Sequence, residues 1–215
     1  MKNREKLIGL VVAGVLLAAV VIVIVVARGG DDDDPGTAAT PVTKEGNLDE
    51  PGTVVKKGEP ATVTMETSEG TFKIALDTER APITANNFAY LTEEGFYDGL
   101  GFHRIVPDFV IQGGDPLGDG TGGPGYKVVE APPKNLKYDV GVVAMAKSGA
   151  EASGTSGSQF YIVTGSGGQS LTPDYALVGK VSEGMDVVEK IGGLGGPDEQ
   201  PTRDVVIEKA TLEKG

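Results

Sequence analysis

Apolar and polar residues alternate along two neighbouring segments of the chain, residues 61–67 and 70–76. Their sequences are "ATVTMET" and "GTFKIAL", and the polar residues Ser68 and Glu69 separate them. Alternation on both sides of a short turn predicts a β-hairpin. Four further short β-rich runs follow, namely "GVVAMA", "SQFYIVT", "YALVGKV" and "DVVIEKATL". Short strands between glycine-rich turns favour an antiparallel sandwich or barrel.

Two segments change to helical spacing. In "APITANNFAYLTEEGF" (81–96), Pro82 suits the first helical position and Gly95 is a stop signal. The residues expected on its apolar side are Ala85, Phe88, Ala89 and Leu91. In "EGMDVVEKIGG", apolar residues recur every three positions, at Met185, Val188 and Ile191. We therefore expect a mainly β domain with two short helices.

A long apolar run lies near the N-terminus. Residues 7–27 contain no charged side chain and consist almost entirely of Leu, Val, Ile and Ala. At ~1.5 Å per residue, a helix of this length crosses a hydrocarbon core of ~30 Å. A cleaved signal peptide is the alternative, but its apolar region is usually ~7–15 residues long and ends in small residues. This run ends in bulky β-branched residues, which favours an uncleaved transmembrane signal anchor.

The charges on either side of this run predict its orientation. Lys2, Arg4 and Lys6 precede it, whereas only Arg28 follows it closely. An excess of Lys and Arg marks the cytoplasmic side of a membrane span. We expect a single-pass protein of the cell membrane, with its N-terminus in the cytoplasm and its C-terminal domain outside.

Composition divides the chain into four parts. Residues 1–6 form the predicted cytoplasmic N-terminus, 7–27 the transmembrane anchor, 28–59 a flexible stalk rich in Pro, Gly and Asp, and 60–215 the folded domain. The stalk lacks the apolar periodicity that would let it bury surface.

The charge and composition exclude several classes of function. The formal net charge is −12 at pH 7, which makes nucleic acid an unlikely partner because phosphate binding requires basic surface. The chain has no cysteine and one histidine, His103, so no disulfide and no clustered metal site is expected.

Two local motifs lack the neighbouring sequence that their usual function requires. "GDGTGG" (118–123) has the spacing of a dinucleotide-binding loop, but Pro124 and Gly125 follow it where a helix should begin. Ser156 and Ser158 are candidate nucleophiles, yet no nucleophile-elbow spacing surrounds them and a base is needed within hydrogen-bond reach. The remaining candidate residues carry no nucleophile, so they suit a reaction that does not need one.

The order of motifs in residues 61–214 resembles that of cyclophilin-type peptidyl-prolyl cis-trans isomerases. The motifs that carry the resemblance are "GFHRIVPDFVIQGGD", "GTGGPGY", "GVVAMAKSG", "SGSQFYIVTG" and "LTPDYALVGKV", followed by "EGMDVVEKIGG". With the predicted anchor, the chain resembles a membrane-anchored bacterial member. The resemblance implies a closed antiparallel β-barrel of about eight strands capped by two short α-helices, and isomerisation of X–Pro bonds to assist folding of exported proteins. The alternative is a tethered module that binds proline-containing peptides, as a chaperone does, with little turnover.

The resemblance also implies roles for particular residues. Arg104 corresponds to the catalytic arginine, with Gln112 orienting it and Phe109 forming the proline pocket. The residues implied in substrate binding are His103, Val110, Ala146, Lys147, Gln159, Tyr161, Leu171 and Tyr175. For His103, a neutral ring satisfied by a backbone group accounts for its position as well as a substrate contact does. The partners implied are proline-containing segments of exported proteins and the membrane; no cofactor or metal is implied, and we expect a monomer.

Three of these positions depart from the pattern of many relatives. Lys147 stands where asparagine is common, Tyr161 where phenylalanine is common, and Tyr175 where histidine is common. Tyr175 still offers a ring and a hydroxyl at the rim of the pocket, so activity is expected to be retained.

Overall fold

The structure is a computed structural model that describes residues 48–215. The predicted cytoplasmic segment, the anchor and the first part of the stalk lie outside the described residues. Within residues 48–215, none of the helices has the length and apolar character needed to cross a bilayer.

This part of the chain contains ten strands and two α-helices. The strands are β1 (Ala61–Thr67), β2 (Gly70–Leu76), β3 (Arg104–Val106), β4 (Val110–Gly113), β5 (Val128–Val129), β6 (Val142–Met145), β7 (Thr155–Ser156), β8 (Phe160–Val163), β9 (Leu177–Glu183) and β10 (Ile207–Lys214). The α-helices are α1 (Pro82–Glu93) and α2 (Met185–Gly192), and a 3₁₀ helix spans Ser166–Ser170.

Eight strands form one antiparallel sheet in the order β10-β1-β2-β9-β6-β8-β4-β3, and β5 pairs separately with β7. The predicted hairpin is β1–β2, and the four other predicted runs form β6, β8, β9 and β10, so these predictions are confirmed. The sequence did not predict β3 and β4, because both are short and the turn at Pro107 and Asp108 interrupts them. Asp108 takes the left-handed conformation in this turn, with φ 58°.

The sheet is curled, but the expected closed barrel is met only in part. Its edge strands β3 and β10 are not neighbours in the sheet. Irregular segments join these two edges through backbone hydrogen bonds instead. The Phe102 amide donates to Val205 (2.9 Å), the Ile207 amide to Leu100 (2.8 Å) and the Gly99 amide to Ile207 (2.7 Å). The segment that leads into β3 is therefore fixed to residues 205–207 at the start of β10 by three backbone hydrogen bonds.

Both helices occur where the apolar spacing predicted them. The predicted apolar side of α1 is fully buried, as are Val188 and Ile191 of α2. The first turn of α1 is capped from another segment, because the Glu130 carboxylate accepts hydrogen bonds from the amides of Ile83 (3.2 Å) and Thr84 (2.8 Å). A carboxylate at this end also interacts favourably with the helix dipole.

The folded part begins before residue 60. Residues 52–55 pack against α1 through the side chain of Asn86, whose oxygen accepts from the amides of Val54 (2.7 Å) and Val55 (3.0 Å) and whose nitrogen donates to Gly52 (2.8 Å). The Leu48 amide donates to Pro124 at 3.0 Å, and Val55 is buried in the core. Part of the predicted stalk therefore packs against the folded domain. The backbone amides of this segment are satisfied by the side chain of Asn86 in α1, which lies far away in sequence. The polar composition of the segment gives no sign of this packing.

We predict that Asn86→Ala lowers the free energy of unfolding by about 1.5–4.5 kcal/mol, because three hydrogen bonds are lost and each contributes ~0.5–1.5 kcal/mol net. Urea unfolding of residues 48–215 measures this. The matched control is Asn135→Ala at an exposed position. In a fragment that begins at residue 60, Asn86→Ala should have a much smaller effect. An equal effect in both fragments would contradict the proposed packing.

Candidate active site

Three neighbouring strands place polar and aromatic residues side by side. In the sheet register, Arg104 of β3 lies opposite Gln112 of β4, and Gln112 lies opposite Tyr161 of β8. Residues directly opposite one another in an antiparallel pair share a face of the sheet. The register therefore brings an arginine, an amide and an aromatic ring from distant parts of the chain together.

A cavity of about 220 Å³ opens on this face. It is lined by Arg104, Phe109, Val110, Gln112, Ala146, Lys147, Tyr161, Leu171 and Tyr175. All of these were predicted as site residues. The cavity is smaller than the ~300–1,000 Å³ typical for drug-sized ligands, so it suits one small apolar group such as a proline ring.

A chain of hydrogen bonds fixes the amides beside the cavity. Arg104 Nη1 donates to Gln112 Oε1 (3.3 Å), and Gln112 Nε2 donates to Gln159 Oε1 (3.1 Å). Gln159 Nε2 then donates to the carbonyls of Gly120 (3.0 Å) and Gly122 (2.9 Å). Because arginine has only donors, the oxygen of Gln112 must face it, and this sets the direction of the whole chain.

The guanidinium of Arg104 has two further neighbours. Its Nε donates to Glu199 Oε2 at 2.7 Å, and its Cζ lies 6.0 Å from the centre of the Phe109 ring. Sequence reasoning missed Glu199, which is 95 residues away from Arg104 along the chain. No local signal marks it, because it lies in a glycine-rich turn beside another acidic residue, Asp198.

Lys147 lies between this cavity and an adjoining one of about 430 Å³, which Gln159 also lines. The Lys147 side chain is only 5% exposed; its Nζ pairs with Asp174 Oδ2 at 2.7 Å and lies 5.5 Å from the centre of the Tyr175 ring. The hydrogen bond from Lys147 holds the pKa of Asp174 below its usual value. The charge of Lys147 is therefore balanced by Asp174.

Tyr161 and Tyr175 line the cavity, and a third tyrosine, Tyr138, packs against both of their rings. The rings of Tyr161 and Tyr175 are perpendicular, with centres 5.5 Å apart. Tyr138, which the sequence did not identify, donates its hydroxyl hydrogen to the Tyr175 carbonyl (2.7 Å) and accepts from the Tyr175 amide (3.0 Å). Burial raises the pKa of Tyr161 and Tyr138, so both phenols stay neutral.

His103 lines neither cavity, unlike the other predicted site residues. It directly precedes Arg104, and adjacent residues in an extended chain point to opposite sides. Both ring nitrogens are buried without a hydrogen-bond partner, and burial lowers the pKa of the ring from its ordinary value. The structure therefore places a neutral imidazole behind the site, and the expected backbone partner is not found.

The arrangement combines a small apolar cavity with a fixed cationic donor at its edge. Among residues 48–215, no group of three or more His, Cys, Asp or Glu side chains is arranged to hold a metal ion. The site can bind a ring and direct N–H groups at the atoms beside it.

The family model described as "Cyclophilin type peptidyl-prolyl cis-trans isomerase/CLD" matches residues 62–212. The chain therefore belongs to the cyclophilin-type peptidyl-prolyl cis-trans isomerase family, and it is a peptidyl-prolyl cis-trans isomerase. Peptidyl-prolyl cis-trans isomerase-like 1 of Homo sapiens is 39% identical over 157 residues, which cover 71% of this chain and 92% of that protein. Probable peptidyl-prolyl cis-trans isomerase B of Mycobacterium leprae is 37% identical over 177 residues, 72% of this chain and 58% of that protein.

Solved structures agree with this assignment. A cyclophilin type peptidyl-prolyl cis-trans isomerase from Cryptosporidium parvum superposes with a TM-score of 0.67 at 30% identity, covering 73% of this chain and 99% of that one. The same protein in the presence of the dipeptide Ala-Pro gives a TM-score of 0.65.

We predict that His103 makes the domain less stable in acid. Its pKa is lowered in the folded state, so the unfolded state binds the proton first as the pH falls through the ordinary value of 6.5. Above 6.5 both states are neutral and no penalty exists. Urea unfolding between about pH 7 and 5 should show wild type losing more stability than His103→Gln. Equal slopes for the two proteins would mean that His103 is protonated equally easily in both states.

Proposed function

We propose that Arg104 supplies the hydrogen-bond donor that accelerates rotation about the X–Pro bond. The observation that supports this most is the placement of its guanidinium, held by Gln112 at the edge of the apolar cavity. Apart from its bonds to Glu199 and Gln112, the guanidinium makes no hydrogen bond within the described residues, so it has donors to offer to a peptide.

The reaction breaks no covalent bond. It must overcome the resonance of the peptide C–N bond, a barrier of ~18–20 kcal/mol, and each ~1.36 kcal/mol removed increases the rate tenfold. As the bond twists, the prolyl nitrogen loses conjugation and becomes a hydrogen-bond acceptor. A guanidinium is always charged and presents planar donors, so it stabilises this twisted form more than the planar ground state.

The remaining residues hold the peptide on either side of the twisting bond. We assign the proline ring to the apolar wall formed by Phe109, Val110, Leu171, Tyr161 and Tyr175. Holding the ring in place leaves the preceding carbonyl free to rotate.

The residues before proline are assigned to the groove beside this wall. Gln159, Ala146 and Lys147 line the adjoining cavity and support this assignment. Gln112 lines both cavities and is suited to bind the peptide between them.

We predict that Arg104→Lys reduces kcat/KM by about 10²–10³, the loss typical when one well-placed donor is removed. Lysine keeps the charge but loses the planar array of donors, so the loss should fall on kcat. A protease-coupled assay with a prolyl tetrapeptide measures it. Arg80→Lys, at a surface ion pair with Asp77, is the matched control and should keep full activity. Near wild-type turnover by a folded Arg104→Lys protein would favour the alternative, a proline-binding module.

We also propose that the isomerase domain acts outside the cytoplasm, tethered by residues 7–27, where it assists the folding of exported proteins. Two features of the sequence support this: the uncharged run of 21 residues, and the basic residues Lys2, Arg4 and Lys6 before it. Slow X–Pro isomerisation, over tens to hundreds of seconds without catalysis, limits the folding of many proteins.

We expect that protease added to intact bacterial protoplasts expressing the full chain removes the domain, whereas a cytoplasmic marker protein survives. The reason is the predicted orientation, which places residues 60–215 outside. Immunoblotting against the C-terminus measures the loss. If the domain were protected until detergent is added, the opposite topology would hold, with residues 60–215 in the cytoplasm.

A further inference from the structure

The contact between Glu199 and Arg104 depends on a tight turn between α2 and β10. In this turn the Thr202 amide donates to Leu194 (2.8 Å) and the Gly196 amide to Gln200 (2.7 Å). Gly195 and Pro201 also pair as an isolated antiparallel bridge. We call residues 194–202 the acidic turn, and Glu199 lies near its tip.

The acidic turn is attached to β3 at two consecutive residues. The Ile105 amide donates to the Glu199 carbonyl at 2.7 Å, while the Glu199 carboxylate accepts from Nε of Arg104 at 2.7 Å. Backbone and side chain of one residue thus bind adjacent positions of the strand that carries the arginine. The position of the carboxylate is therefore set by the strand itself.

Glu199 adopts an unfavourable backbone conformation. Its φ is +62°, in the left-handed region that glycine enters freely and that other residues seldom occupy. Glycines are present at positions 195 and 196, yet the left-handed position near the tip carries a glutamate. Such outliers are a reason to look for a function of the residue.

The ion pair between Arg104 and Glu199 is not explained by a contribution to the stability of the fold. The side chains of Arg104 and Glu199 are 34% and 53% exposed, and ion pairs this exposed contribute little to folding. The more direct consequence is geometric. A planar guanidinium that is held at Nε by Glu199 and at Nη1 by Gln112 has its plane fixed by two contacts on separate atoms.

We propose that Glu199 is a positioning residue for the isomerase reaction, which acts by holding the guanidinium of Arg104 at the edge of the proline cavity. This inference rests on the proposed role of Arg104. Without the carboxylate, Arg104 keeps its charge and its bond to Gln112 but gains freedom about its side-chain torsions. The catalytic donors then spend less time in the orientation that the twisted peptide requires.

The test compares Glu199→Ala and Glu199→Gln in the protease-coupled assay. Glu199→Ala should lower kcat about tenfold with little change in KM, less than the loss expected for Arg104→Lys. Glu199→Gln should recover most of kcat, because its amide oxygen can still accept from Nε. Asp198→Ala, which removes the neighbouring carboxylate of the acidic turn, is the matched control and should behave as wild type. Thermal unfolding of each variant shows whether its fold is retained.

A double-mutant cycle separates positioning from a merely structural effect. If Glu199 acts through Arg104, Glu199→Ala should have almost no further effect on kcat in an Arg104→Ala background. Full kcat in Glu199→Ala, equal losses in Glu199→Ala and Glu199→Gln, or independent effects in the cycle would each overturn the inference. Near wild-type turnover by Arg104→Ala would instead overturn the catalytic role of Arg104 itself.

Discussion

The register between β3, β4 and β8 is the constraint on which the site depends. A slip of one residue in a strand pair moves every side chain to the opposite face of the sheet. The turn at Asp108 protects this register: the Phe109 amide donates to Val106 at 3.1 Å, and the Thr164 amide donates to Phe109 at 2.9 Å. The positions of Arg104, Gln112, Val110 and Tyr161 relative to one another follow from this one alignment.

Local patterns in the sequence predicted those elements that are long enough to show a regular apolar face. The β1–β2 hairpin and helices α1 and α2 each have one apolar face, so their periodicity is visible. The strand β3 has only three residues, too few to show a period. The lining of the cavity was anticipated through motif resemblance, whereas Glu199 and Tyr138 contribute through contacts between distant segments that no local pattern records. The packing of Val55 was hidden for the same reason.

Two of the three departures from the family pattern, Lys147 and Tyr175, are physically connected. A lysine in place of asparagine brings a charge to a nearly buried position, which is costly unless the charge is paired. Asp174 supplies the counter-charge and Tyr175 the ring over which the ammonium lies. Tyr175 in turn is held by Tyr138 through its backbone. Lys147 and Tyr175 are thus held in place by a single connected set of contacts.

β1 and β10, the first and last strands of the described residues in chain order, are neighbours in the sheet, and they pair along the length of β1 from Ala61 opposite Lys214. A chain emerges from the ribosome or through a translocation pore with its N-terminus first. The edge of β1 that pairs with β10 consequently has no partner until β10 has emerged, and non-local pairing of this kind slows folding. The sheet that carries the isomerase site is therefore complete only after β10 has been synthesised.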